Sequence, residues 1–429
     1  MDAIVASLGH PSEVAALLRF KFSGSGKVMY KAKRSLPPKD DSAAYTRAMC
    51  YYYLNRTSRS FARVIQELDD ELRDPVCIFY LVLRGLDTIE DDMTLPVDKK
   101  LPLLRSFHEL TTKSGWTFDE NGPDEADREL LVNYDVVIDQ LLRLKPGYRK
   151  TIVDIARRMG AGMADFVAGK QVITLEDFDL YTHYVAGLVG IGLTGLFIES
   201  GLENKALADS MPIANDMGLF LQKVNILKDF LGDVRDGRLY WPKAIWKLYV
   251  SEGEGVDALA KPENLPNAVA CLNHLCANAL TLVPKCLDYL SLLRNKSVLG
   301  FAAIPQLMAI ATIDLFYNNP MLFRKSGNKI RRGLAVKMIE RATDFESIKQ
   351  VYFDYAMSIS HKSRKALGTN PADKSFGDIA EACANIVRWI QIHDKKQGLP
   401  IRKASSTIST QIVLFFVVLA VAVIVAASQ

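Results

Sequence analysis

Arg84-Gly85-Leu86-Asp87-Thr88-Ile89-Glu90-Asp91-Asp92 closes an apolar run, Cys77-Ile78-Phe79-Tyr80-Leu81-Val82-Leu83, that has the composition of a buried helix. On a helix Asp87 and Asp91 stand one turn apart and Glu90 lies three residues from Asp87, so three carboxylates share one face. Like charges at that spacing repel and would weaken an isolated helix. A hard cation among them reverses the sign, and Mg²⁺ with a bound polyphosphate is the simplest partner because it takes carboxylate oxygen. Taken alone, the motif also fits a solvated acidic helix end.

A second polar stripe lies far down the chain. In Gly218–Asp233 the residues Gln222, Asn225, Asp229 and Asp233 follow steps of three, four and four on an otherwise apolar helix. Amide and carboxylate oxygens there are unfavourable to bury unless an ion or ligand satisfies them. Two such stripes on facing helices would clamp Mg²⁺ and a diphosphate, and the metal would stabilise the leaving group as an allylic diphosphate ionises. Arg56, Arg59 and Arg63 would add phosphate contacts; the alternative for them is a basic helix face.

Around these motifs the helical period dominates and strand signals are almost absent. A helix is expected to start near Asp41 or Ser42, and Pro75 to open the helix carrying the first acidic motif. Residues 112–125 read as a loop. Helices follow over Leu130–Leu144, Tyr148–Ala168, Ala268–Arg294 and Ala302–Tyr317. The glycines Gly187, Gly190, Gly192 and Gly195 would each weaken a helix by about 1 kcal/mol. A helix break, close approach to an extended ligand and tight helix–helix packing all explain them. Past residues 366–376, read as a linker, Ile379, Cys383, Ile386, Val387 and Ile390 recur at helical spacing. That amphipathic helix either docks on the domain or lies flat on a membrane.

The 429 residues are 49% hydrophobic with a net charge of +4, enough for a large core and without the basic blocks of a nucleic-acid binder. The six cysteines are scattered without zinc spacing and read as reduced, packed thiols. Ile412–Ala427 is unbroken apolar sequence, and Ile408–Gln411 extends it to the length of a roughly 30 Å hydrocarbon core. Lys395, Lys396, Arg402 and Lys403 precede it, so the positive-inside rule puts the body of the protein in the cytosol. We therefore expect an all-α protein with a lead-in over 1–40, a helical domain over 41–365, a linker with an amphipathic helix over 366–405 and a tail anchor over 406–427. The span suits the thin endoplasmic reticulum bilayer.

Longer ordered stretches carry a resemblance. Ser58-Arg59-Ser60-Phe61, Arg73–Arg84, Asp87–Asp92, Arg158–Ala164, His183–Gly190, Trp241-Pro242, Ala303-Ile304-Pro305-Gln306, Tyr317-Asn318-Asn319 and Lys329-Ile330-Arg331-Arg332-Gly333 resemble the squalene synthase family over roughly residues 40–345. The resemblance implies an isoprenoid-synthase-type helical domain with a central cavity. It implies head-to-head condensation of two farnesyl diphosphates to presqualene diphosphate, then NADPH-dependent reduction to squalene. By motif position Asp87, Glu90, Asp91, Asp229 and Asp233 would bind Mg²⁺. Ser58, Arg59, Phe61, Arg84, Gln222, Asn225 and Arg238 would contact substrate. Asn225, Lys329 and Arg331 would meet NADPH, for which the chain carries no Gly-rich dinucleotide fingerprint. Tyr184, with Tyr80 as neighbour, would serve the first half-reaction, and Phe301 and Tyr289 would line the pocket. The family pattern Asp-Tyr-Leu-Glu-Asp reads Asp229-Phe230-Leu231-Gly232-Asp233 here, one acid short. A monomer without nucleic-acid partners is expected. An enzyme that stops at presqualene diphosphate, a phytoene synthase-like enzyme and a silent membrane-bound scaffold are the alternatives.

Overall fold

The structure, a computed structural model, describes residues 7, 9–22, 29–30, 36–40, 42–58, 61–325 and 327–403. Among these residues every regular element is helical, as the periodicity predicts. The helices are α1 (Pro11–Phe22), α2 (Ala43–Thr57), α3 (Phe61–Gln66), α4 (Asp70–Asp91), α5 (Val97–Leu110), α6 (Arg128–Val132), α7 (Asp135–Arg143), α8 (Pro146–Val167) and α9 (Leu175–Thr182). A π turn, His183–Gly187, leads into α10 (Leu188–Glu199), followed by α11 (Met211–Arg235) and α12 (Lys243–Trp246). The last third holds α13 (Leu265–Leu280), α14 (Val283–Leu292), α15 (Lys296–Phe316), α16 (Arg332–Arg341), α17 (Phe345–Ala366) and α18 (Phe376–Lys396).

The first acidic motif ends α4, which packs against α2, α3, α5, α7, α8 and α10. The second lies on α11, which packs against α10, the π turn, α13, α14 and α15. Ser42 caps α2 by accepting the Tyr45 N–H at 3.2 Å, where a start is expected. Pro75, however, does not open its helix. α4 begins at Asp70, where Asp70 and Glu71 complement the helix dipole, and Pro75 sits one turn inside. The expected Ala268–Arg294 helix is two, α13 and α14, parted before Pro284, and α15 starts earlier than expected because Asn295 caps it at Ser297 and Val298. The expected Leu130–Leu144 helix is likewise two, α6 and α7.

Both ends of the described chain are built into the domain. α1, within the expected lead-in, docks on α16 through Glu13–Arg331 and Arg19–Glu340. α18 docks rather than lying apart: Ile379, Cys383, Ile386 and Ile390 are buried against α13, α14 and α17. The connection before it is packed too, with buried Asp373 accepting from Asn273 at 2.6 Å. All six cysteines are free and buried. Among the described residues two helical stretches, Leu175–Glu199 and Lys296–Phe316, are long and apolar enough to cross a membrane, and both are packed into this domain. The expected anchor over 406–427 lies outside the described residues.

The glycine run serves a close helix crossing. A Cβ on Gly190 would come 2.1 Å from the Ala214 carbonyl oxygen, and one on Gly218 would come 2.1 Å from that of Ala186. Backbone meets backbone there, which only glycine permits, and the π turn sits at the same place. Gly232 differs: nothing lies within 4 Å of its missing Cβ. Gly218→Ala should therefore destabilise the fold by about 1–3 kcal/mol. Gly232→Ala should stabilise it by about 1 kcal/mol, the ordinary helix propensity gain. Urea unfolding followed by helical circular dichroism measures both, and equal effects would contradict the crossing.

Candidate active site

α4 and α11 both border one cavity of about 270 Å³ whose other walls come from α3, α8, the π turn, α10, α14 and α15. Most of the lining is apolar, including Phe79, Leu83, Val189, Leu221 and Phe301. Its polar side chains include Arg84 and Asp87 from α4, and Gln222 and Asn225 from α11. An apolar body with a few charged groups is the form of a site for an amphiphilic ligand.

The charged end has a definite electrostatic logic. Arg84 lies 3.8 Å from Asp87 and 3.7 Å from Asp127, and its buried Nε has no hydrogen-bond partner. Burial raises the Asp87 carboxyl to about 7; Arg84 opposes the shift, and Asp91 and Asp127 add to it. Glu90 is pushed higher, to about 8, by burial and then by Asp91 and Asp87. Asp233 rises to about 6 through burial, against the pull of Arg238. Asp92 behaves differently. Burial would raise it, yet donors from Thr94, Gly122 and Asn121 bring it down to about 2, so it is a structural anion holding the 121–122 loop.

Arg238 joins the two motifs. Its guanidinium lies 2.9 Å from Asp91, 3.3 Å from Asp233 and 3.3 Å from Asp236. Asp229 is more exposed and paired with Lys228 at 3.3 Å. Among the described residues no three His, Cys, Asp or Glu side chains converge into a ready cage for a metal. An ion here must complete its shell with water and with oxygens of the ligand, which is the habit of Mg²⁺ at phosphates. The donor set, all hard oxygen and partly desolvated, fits that ion.

The remaining expected residues divide. Tyr80, Tyr289 and Phe301 line the cavity; Tyr289 is fixed by a 2.7 Å hydroxyl contact with Thr194, and Phe301 meets the edge of Phe197. Phe61 lines it as well, while Ser58, closing α2, accepts the Phe61 N–H at 3.0 Å. Tyr184 packs its ring over Gly162 of α8, and it is Val185 and Ala186 that reach the cavity wall. Arg56 is paired with Glu129 and Arg63 with Glu67, so neither is a free phosphate ligand; Arg59 lies outside the described residues. Of the three residues assigned to NADPH, Asn225 borders the cavity, Lys329 is exposed on the coil before α16, and Arg331 is taken by Glu13 at 2.7 Å. Two neighbours escape sequence reading: Asp127 beside Arg84, and Lys100, whose ammonium donates to the Glu90 carbonyl at 2.7 Å. Both sit in segments without a motif, and only folding brings them here.

A family model described as squalene/phytoene synthase matches residues 54–333. The chain belongs to that family. Squalene synthase of Homo sapiens is 47% identical over 358 residues, covering 83% of each chain. That of Schizosaccharomyces pombe is 46% identical over 365 residues, 83% of this chain and 77% of its own. A solved complex of TcSQS with a ligand matches with a TM-score of 0.76 at 41% identity, over 81% of this chain and 99% of that one. In squalene/phytoene synthase terms the all-α architecture is thus the family fold.

Asp87 and Glu90 in the folded, metal-free protein hold protons to about pH 7 and 8, whereas unfolded carboxyls ionise near 4. Their contribution to stability is full below about pH 4 and is lost as pH rises through about 8. Thermal unfolding without metal should fall across that window. Mg²⁺ with inorganic diphosphate should remove the fall, and Asp87→Asn should reduce it. A slope unchanged by either would refute the desolvated pair.

Proposed function

We propose that this protein is a squalene synthase, joining two farnesyl diphosphates head to head to presqualene diphosphate and converting that to squalene. The observation that carries the reading is the pairing of both acidic motifs through Arg238 beside an apolar cavity, in a chain 47% identical to the human squalene synthase.

The charged end would receive the diphosphate. Asp87, Glu90, Asp91, Asp229 and Asp233 are the side chains that would hold Mg²⁺, which when bound supplies the positive charge a departing diphosphate needs. Arg84, with its unpartnered Nε, and Arg238 would contact phosphate oxygens. The apolar walls would exclude water from the allylic cation, and the faces of Tyr80, Tyr289 and Phe301 would stabilise its charge. Thr194, by fixing the Tyr289 hydroxyl, keeps that ring in place. Tyr184 is assigned to the first half-reaction by motif position.

Squalene requires a hydride that no side chain supplies, and NADPH is the donor in this reading. The arrangement of Arg331 does not suit a cofactor phosphate, since Glu13 already satisfies the guanidinium through three hydrogen bonds. We also infer that the apolar run 412–427 anchors the protein in the endoplasmic reticulum membrane with its domain in the cytosol.

The test is incubation of the full chain with farnesyl diphosphate and Mg²⁺, with and without NADPH, followed by mass analysis of products. Presqualene diphosphate should accumulate without NADPH and squalene should form with it. Asp87→Asn and Asp233→Asn should each lower kcat by about 10²–10³-fold. No C30 product from a folded protein would overturn the reading, and presqualene diphosphate as end product despite NADPH would favour the truncated reaction.

A further inference from the structure

Beyond the active site, the most heavily buried charge is Lys349 on α17, whose side chain is 0% exposed. Its ammonium donates to Asp394 at 2.6 Å and lies 2.7 Å from Glu346. The Arg402 guanidinium closes the group. Its Nε donates to Asp394 at 2.6 Å, Nη1 to the Glu346 carbonyl at 3.1 Å, and Nη2 pairs with the Glu346 carboxylate. Gln350 adds a bond to the Lys403 carbonyl at 3.2 Å. Two cations and two anions thus neutralise each other; Lys349 and Asp394 are buried, Arg402 nearly so and Glu346 is half-exposed, and removing a partner from the buried part is strongly unfavourable.

Its position is the informative part. The group pins Arg402 and Lys403 to α17, just ahead of the apolar run that starts at Ile412. Residues 404–411 can span at most about 30 Å when fully extended. A chain leaving the domain at a fixed point and entering a bilayer within that distance keeps the surrounding surface close to the lipid.

That surface has the matching chemistry. Residues 385–403 hold five Lys or Arg and one acid, Asp394, which is buried in the ionic group. Arg388, Lys395, Lys396 and Lys403 are exposed. Among them Ile401 is 85% exposed, Ile392 50% and Leu399 37%, three large apolar side chains left partly or wholly open to solvent. Apolar residues interspersed with lysines suit the boundary of headgroups and acyl chains, with attraction to anionic lipid.

We propose that the face formed by the C-terminal end of α18 and residues 397–403 lies against an anionic membrane surface, and that the Lys349–Asp394–Arg402–Glu346 group holds the domain in that orientation. The inference rests on the anchor reading of residues 412–427. It makes the docked α18 the base from which the chain leaves for the anchor.

The test uses the full chain in vesicles of phosphatidylcholine with and without phosphatidylserine. Ile401→Cys takes a polarity-sensitive dye selectively because all six native cysteines are buried. Flotation with the vesicles reads the anchor; quenching of the dye by headgroup-labelled lipid reads the docked face. The expected result is flotation together with quenching, stronger with phosphatidylserine. Replacing Lys395, Lys396 and Lys403 by Gln should remove the lipid difference. Arg402→Gln should lower quenching several-fold while flotation persists, and Arg402→Lys should restore most of it; thermal unfolding of each variant confirms the fold. Flotation with an unquenched dye overturns the docking and leaves the anchor standing. Failure to float overturns the anchor reading and the docking with it. Quenching unaffected by Arg402→Gln overturns the role of the ionic group.

Discussion

Carboxylates crowded on the inner face of α4 are the constraint on which this structure turns. Asp87 and Glu90 are partly withdrawn from water next to Asp91, so each raises the free energy of charging the others. Arg84 and Arg238 offset part of that, Arg238 by reaching from beyond the end of α11 to both motifs. The residual tension is a demand for positive charge. A cation bridged to phosphate answers it, which is why a fold of apolar helices tolerates this cluster.

The helices that enclose the cavity are placed by backbone contact. Gly190 and Gly218 let the π turn, α10 and α11 cross with almost no side chain between them. That crossing positions Val185, Ala186 and Val189 along one wall while Gln222 and Asn225 face the same space from α11. Four glycines that weaken a helix locally are therefore offset by tertiary packing. The polar end and the apolar body of the cavity are consequences of one arrangement.

The periphery follows a different principle, that of ion pairs linking distant segments. Glu13 on α1 occupies Arg331, and Asp394 and Glu346 enclose Lys349 and Arg402. Neither link was legible beforehand. Arg331 belongs to a motif whose resemblance points toward a cofactor, and its partner lies 318 residues away in a stretch without any signal. Asp127 and Lys100 escaped notice for a related reason: neither belongs to a stripe or motif, and its neighbours along the chain do not reveal what it will face. Pro75 misled in the opposite direction, since a proline tolerated one turn inside a well-packed helix looks locally like a helix start.

By itself the sequence determined the helical class, the two acidic stripes, the apolar C-terminal run and the family, because period, spacing and ordered motifs are properties of neighbours along the chain. Only the tertiary structure decided that Arg238 would bridge the stripes, that Asp92 would be a structural anion, and that Tyr184 would rest its ring on Gly162. It also decided that α18 would dock and carry the ionic group at Arg402. These outcomes depend on desolvation and on contacts between residues tens to hundreds of positions apart, and both are set only once the helices have packed.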